Sequence, residues 1–306
     1  MAGSQDFKAD PRNARALVWL NGDLVPREAA MVSIFDAGFS MGDGVWEGLR
    51  LHKGRLLFLE AHLDRLLAGA ATLRMDLGLD RAGLTTALEA VIKANGMSDG
   101  AHLRLMATRG LKSTINQDPR NALGIPTVAI TAEHKTPTAE VAGSGLHLRT
   151  VSIRCTPAHM FDMRLNSHSR LNLITALLEA IDLGGDEALM LDPAGFISSC
   201  NATNFFFVRD GVLHTSTGEF CFNGITRAHV IGLCEANGIP IRLGAFPLGD
   251  VHGADEAFVT GTLGGLTPVR RIDDHALAPC PGPLTARLRD LYEALKDADA
   301  AAASAP

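Results

Sequence analysis

Lysine is scarce in this chain of 306 residues, and none occurs between Lys135 and Lys296. The lysines are Lys8, Lys53, Lys93, Lys112, Lys135 and Lys296. The lysine ε-amine is the side chain that bonds covalently to an aldehyde or ketone. That chemistry is excluded from residues 136–295. Cysteine is sparse as well. Cys155, Cys200, Cys221, Cys234 and Cys280 are odd in number and widely spaced, with no C-x-x-C pair. A disulfide framework and a zinc site are excluded, and reduced thiols are expected. No uncharged apolar run approaches the roughly 20 residues that span a bilayer. The opening MAGSQDFKADPRNAR holds no apolar signal core. A cytoplasmic protein with no membrane partner is expected. Acidic residues outnumber basic ones, giving a net charge of −6. This speaks against a nucleic-acid partner.

What is present is ordinary for a globular chain: 46% hydrophobic and 20% charged residues. The length suits one large domain or two medium ones. Ala16–Leu20 reads as a strand and Asn21-Gly22-Asp23 as a hairpin turn. Leu56–Leu67 and Gly83–Asn95 carry helical spacing. His102–Thr108 and Thr127–Thr131 read as strands. Residues 1–134 are thus expected to form a smaller α+β domain. Residues 135–146 show little periodicity and read as a linker. Residues 147–306 form the larger domain. In it Leu171–Leu183 and Arg227–Asn237 read as helices, the latter with Thr226 at its N-terminus. Asp186–Leu191, Phe205–Arg209 and Glu256–Thr260 read as strands. The tail DADAAAASAP is of low complexity and is expected to fray.

Several short blocks follow one another in a fixed order. They are Gly42-Asp43-Gly44-Val45-Trp46-Glu47-Gly48, His62-Leu63-Asp64-Arg65-Leu66, Thr108-Arg109-Gly110 and Gly185-Asp186-Glu187-Ala188-Leu189. Asn204-Phe205-Phe206, Gly224-Ile225-Thr226-Arg227, Thr260-Gly261-Thr262 and Thr267-Pro268-Val269 complete the series. Each is weak alone. In order, they make the chain resemble the class IV aminotransferase family, which includes branched-chain and D-amino-acid aminotransferases and aminodeoxychorismate lyases. The resemblance implies the two-domain α+β architecture of fold-type-IV pyridoxal-phosphate enzymes and a homodimer. It also implies pyridoxal 5'-phosphate held between the domains and an amino acid or keto acid as substrate.

The resemblance assigns the cofactor's phosphate to Ile225 and Thr226, to Gly261 and Thr262, and to Arg65. A helix N-terminus opened by Gly224-Ile225-Thr226 favours an anion through its free N–H groups and dipole. Arginine is a forked donor for phosphate oxygens. Asn204 and Ser199 are placed beside the cofactor ring. Two departures follow from the same comparison. Counting back from Glu179-Ala180 puts Asn166 where the family keeps the lysine bonded to its cofactor. Ser199 stands where the family has the glutamate facing the ring nitrogen. Asparagine supplies neither a bonding amine nor a base near neutral pH. A serine hydroxyl stabilises a protonated ring nitrogen far less than a carboxylate.

Around the first departure lie Ser167, His168, Ser169, Arg170 and Asn172. His168 titrates nearest neutral pH and is a candidate catalytic group. Serving the following helix as a cap is its other reading. Arg170 is a candidate contact to the ring hydroxyl by resemblance. Lys135 is the least remote substitute amine. Arg104 and Arg109 are candidates for a substrate carboxylate, and Glu47 and Arg50 for pairing with each other or with neighbours. Three functions stay open: an aminotransferase-like protein with non-covalent cofactor, a lysine-independent lyase or hydrolase using His168 or Cys200, and a non-catalytic binder of pyridoxal phosphate or another phosphorylated metabolite.

Overall fold

The computed structural model describes residues 3–302. They divide into two compact bodies. One contains residues 9–136, the segment Leu165–Arg170 and residues 297–302. The other contains residues 3–8, Pro137–Arg164 and Leu171–Lys296. Each body thus borrows a short segment from the far side of the sequence.

The first body is built on a six-stranded antiparallel sheet. Its strand order is Asp23–Pro26, Leu17–Leu20, Thr127–His134, Ala101–Thr108, Gly44–His52, Arg55–Leu56. Asn21 and Gly22 both take positive φ (49° and 107°), which closes the first hairpin in the sense that matches strand twist. Side chains alternate across the sheet. Val45, Leu49, Leu51, Leu103, Leu105, Val128 and Ile130 face a core shared with the helices Leu59–Thr72 and Arg81–Ala94. Asp80 caps the second of these through the Gly83 N–H. Trp46, His102, Arg104, Met106, Ala129 and Thr131 occupy alternate positions to these.

The second body carries a nine-stranded mixed sheet. Its path runs Ile197–Cys200, Glu187–Leu191, Leu146–Arg154, Gly265–Ile272, Glu256–Gly261, Asn204–Arg209, Val212–Ser216, Ile241–Gly244, with His275–Ala276 on the side. Its helix Leu171–Asp182 buries Ala176 and Ala180. Phe205, Phe207, Val259 and Val269 form the main core with Leu146 and Leu189.

Three expectations are corrected. The expected linker holds a short helix, Ala139–Ser144, whose small residues give no apolar stripe to read. The expected frayed tail belongs to a long helix, Pro283–Ala302, with residues 303–306 outside the described residues. Thr226 is not a cap. The helix runs Ile225–Ala236 with Gly224 at its N-cap, so Thr226 lies inside the first turn.

Candidate active site

The block Leu165–Arg170 runs along the strand Gly44–His52 of the first body. Trp46 N–H donates to the Asn166 carbonyl at 2.9 Å, and His168 N–H to the Gly44 carbonyl at 2.9 Å. Val45 and Ser167 form an antiparallel bridge. The Asn166 side chain is buried; its amide donates to the Trp46 carbonyl and accepts from Arg170 Nη2. Ser169 Oγ donates to the Gly42 carbonyl at 3.1 Å. His168 Nε2 is buried with no hydrogen-bond partner. Burial, and then Arg104, hold the His168 imidazole below its usual range, so it is neutral near pH 7.

Arg104 lies over the Trp46 ring, 3.8 Å from its centroid, and Arg170 lies 5.5 Å from the same centroid. Burial lowers Arg170 to about 10, with Arg104 and Arg65 adding to the effect. These three cations sit in one field and favour an anion. A cavity of about 630 Å³ is lined by Arg104, His102, His168 and Lys135, with Val18, Leu20 and Met106 among its apolar walls. Burial pushes His102 down to about 3.

Lys135 cannot stand in for a lysine at Asn166. It follows His134, which pairs with Ala101, whereas Ser167 bridges Val45, which pairs with Ala107. That interval of strand spans roughly 20 Å at about 3.4 Å per residue. Lys135 instead pairs with Glu133 at 2.9 Å. Arg109 is committed to Asp43 through Nε at 2.6 Å and Nη2 at 3.0 Å. Arg104 is therefore the candidate that remains for a carboxylate.

Arg65 is fixed by Glu47. Its Nε and Nη2 each donate to one Glu47 oxygen at 2.7 Å, and His62 Nδ1 lies 2.7 Å from Oε2. Burial raises the Glu47 carboxyl; the Arg65 and His62 hydrogen bonds outweigh it and hold it below its usual range. Glu47 and Arg50 do not pair, because residues three apart on a strand point to opposite faces. His62 and Arg65, three apart on a helix, share a face, and that spacing is the readable signal for this cluster.

In the second body Asn204 pairs with Thr260 across neighbouring strands. Its Oδ1 accepts from Gly224 N–H at 3.1 Å, and its Nδ2 donates to the Phe222 carbonyl at 2.6 Å. Asn204 thereby holds the start of the Ile225–Ala236 helix beside the Thr260-Gly261-Thr262 turn. A Cβ on Gly224 would come within 2.5 Å of Asn204 Oδ1, so this position requires glycine. The helix has no side-chain cap. Its first-turn N–H groups have no intrahelical acceptor, which leaves those of Ile225 and Thr226 for a ligand. Thr226 Oγ1 lies 3.4 Å from the Tyr292 hydroxyl, and the buried Thr260 Oγ1 has no partner. These unspent donors fit a phosphate. Tyr292 belongs to none of the sequence blocks, and Thr260 enters only as the first residue of the Thr260-Gly261-Thr262 block. Ser199 Oγ donates to the Thr203 carbonyl at 2.7 Å and receives Asn204 Nδ2 at 3.3 Å, so its one proton is already spent. Cys200 is buried and its thiol is pushed well up by burial, which removes it as a nucleophile. Among the described residues no cluster could hold a metal ion, and no helix is long and apolar enough to cross a membrane.

The order of blocks, the two bodies and the anion-ready turn together describe one class of protein. The amino-transferase class IV family matches residues 44–272, and the chain belongs to that family. It is 38% identical over 289 residues to branched-chain-amino-acid aminotransferase-like protein 2 of Arabidopsis thaliana. That match covers 94% of this chain and 51% of the relative, so the chain spans about half of the plant protein. It is 31% identical to D-alanine aminotransferase of Listeria monocytogenes, covering 90% and 94% of the two chains. The fold superposes on a T.th. branched-chain amino acid aminotransferase solved with pyridoxamine 5'-phosphate. There the TM-score is 0.85 at 30% identity, covering 92% and 95%. The Escherichia coli branched-chain enzyme gives a TM-score of 0.85 at 26% identity, covering 92% and 95%.

Proposed function

We propose that this protein is an aminotransferase-like binder of pyridoxal 5'-phosphate that holds its cofactor non-covalently and acts on an amino acid or its keto acid. The observation that carries the reading is the absence of lysine from residues 136–295, with Asn166 locked between Trp46 and Arg170. When bound, pyridoxal phosphate supplies the aldehyde and electron-withdrawing ring that carry an amino group. The chain's residues then have separable tasks. Ile225 and Thr226 N–H groups, with the hydroxyls of Thr226 and Thr262 beside Gly261, hold the phosphate. Arg65, kept in place by Glu47, is a further candidate for binding an anion. Ser199, its proton spent on the Thr203 carbonyl, would offer the ring an acceptor only, and so would not keep a ring nitrogen protonated as a glutamate does. Arg104 takes a substrate carboxylate, and Val18, Leu20 and Met106 take an apolar side chain. Neutral His168 is the one group of its block able to accept a proton near pH 7.

The test is reduction with borohydride after loading with pyridoxal phosphate, followed by mass spectrometry of the peptides. No lysine adduct is expected; a stoichiometric adduct on any lysine overturns the non-covalent reading. Single-turnover conversion of a keto acid by protein loaded with pyridoxamine phosphate then separates slow amino transfer from mere binding. A second copy of the chain is the proposed partner. Met31, Ile34 and Phe39 are exposed in the first body, and Leu171, Ile174, Leu178 and Ile181 form an exposed apolar stripe on one helix. Light scattering at the mass of two chains is the expected result.

A further inference from the structure

We propose that the N-terminal segment is a strap that positions the phosphate-binding turn, with Glu187 as its latch. The inference rests on the phosphate reading of the Thr226 and Gly261-Thr262 cup. Ser4 is buried, and its N–H donates to Glu187 Oε1 at 2.8 Å. Thr203 Oγ1 donates to the other oxygen, Oε2, at 2.9 Å. One buried carboxylate therefore ties the strap to the turn that carries Ser199 and Asn204. Thr203 also offers its carbonyl to Ser199 Oγ at 2.7 Å and to Cys200 N–H at 2.9 Å.

The strap packs directly on the cup. A Cβ on Gly264 would meet the Ser4 carbonyl oxygen at 3.2 Å, and one on Gly261 would meet Gln5 Nε2 at 3.5 Å and Thr203 Cγ2 at 3.4 Å. The chain therefore lies against both ends of the Gly261–Gly264 turn, with Thr262 between them. Every contact here lies within the second body. A buried carboxylate is costly unless its oxygens are satisfied. Glu187 gains its satisfaction only with the strap seated and the Thr203 turn closed. Binding of phosphate to the cup and seating of the strap are thus coupled, and the coupling is reciprocal. Glu187 acts here as a positioning residue, since it reaches the ligand through Ser4, Thr203 and the glycine turn.

The experiment compares Ser4→Pro, which deletes the N–H, with Ser4→Ala, which keeps it. Affinity for pyridoxal phosphate and for inorganic phosphate is read by calorimetry. Ser4→Pro is expected to weaken both by about 5- to 20-fold, the usual size of such couplings, while Ser4→Ala, which keeps the N–H and loses only the hydroxyl's bond to Glu187, weakens them less. Wild-type affinity in Ser4→Pro overturns the strap. Hydrogen exchange on the unmodified protein gives a readout independent of any variant. Phosphate is expected to slow exchange at residues 4–8, and unchanged exchange overturns the coupling. If the unmodified protein binds neither ligand, the cup reading itself fails and the strap with it.

Discussion

Arg170 donates through Nη2 to the side-chain oxygen of Asn166, while the Asn166 amide donates to the Trp46 carbonyl. The side chain at the position assigned to the family's lysine is thus fully engaged as a structural tie within the first body. Removing it takes one hydrogen bond from the Trp46 carbonyl and one from Arg170. Asn166→Ala is expected to destabilise the protein by about 1–3 kcal/mol, the usual cost of losing hydrogen bonds at buried groups. Urea unfolding at constant m-value measures it. A change within error would show that the tie contributes nothing.

Glu47 should matter more. It neutralises Arg65 and orders His62 in a fully buried position. Glu47→Ala removes the paired hydrogen bonds of Arg65 and the carboxylate beside buried His62, and a loss of about 3–5 kcal/mol is expected. Glu47→Gln should recover part of it, since one acceptor oxygen remains. Thermal unfolding of both variants checks the order.

The same carboxylate gives a pH dependence whose sign is fixed. Its folded-state pKa lies below the unfolded value, the hydrogen bonds from Arg65 and His62 outweighing burial. The stability it contributes is complete above the ordinary carboxylate range and is lost as pH falls through the lowered folded value. Wild-type stability should therefore fall on the acid side more steeply than that of Glu47→Gln. Parallel acid titrations of the two would contradict the assignment.

His168 is held neutral by burial and Arg104. If it accepts the proton moved during turnover, His168→Gln should lower kcat by about 10²–10⁴-fold with little change in melting temperature. Activity in the wild type should drop only below the usual histidine range. A normal acid limb near pH 6.5, roughly the reference value, would argue that His168 is not the acceptor.

Thr226→Val retains the helix but removes a hydroxyl proposed to meet the phosphate. Hydrogen bonds to charged groups contribute about 1.5–3 kcal/mol, so affinity for pyridoxal phosphate should fall by roughly 10- to 100-fold. Isothermal calorimetry reads this directly. An unchanged affinity would mean that the hydroxyl serves only Tyr292.

Much of this architecture is legible in the sequence because local chemistry and burial agree. Asn21-Gly22 sits between two apolar runs and can form little other than a tight hairpin. Gly83–Asn95 carries its apolar period and its stop at Gly96. The Gly224-Ile225-Thr226 segment is visible as a helix start, although the cap proves to be Gly224. What stays hidden depends on long-range pairing. Nothing in the spacing of Glu47 and Arg65 reveals that strand and helix bring them to 2.7 Å. Thr260 opens a block visible in the sequence, but the burial of its hydroxyl without a hydrogen-bond partner is not readable there. The helix Pro283–Ala302 escapes a sequence reading because its alanine-rich end shows no apolar stripe. The exposed face Leu171-Ile174-Leu178-Ile181 escapes it because one helix carries two apolar faces, and the inner one dominates the pattern.

The stacking of Arg104 on Trp46 has an optical consequence. The chain has two tryptophans, and Trp19 is sequestered in the core of the first body. Trp46 lies under Arg104, which lines the cavity, with the guanidinium 3.8 Å from its ring centroid. A carboxylate that captures Arg104 draws that cation off the ring and changes the indole's emission. The protein therefore carries an intrinsic fluorophore at its proposed substrate contact, and ligand screening needs no added dye.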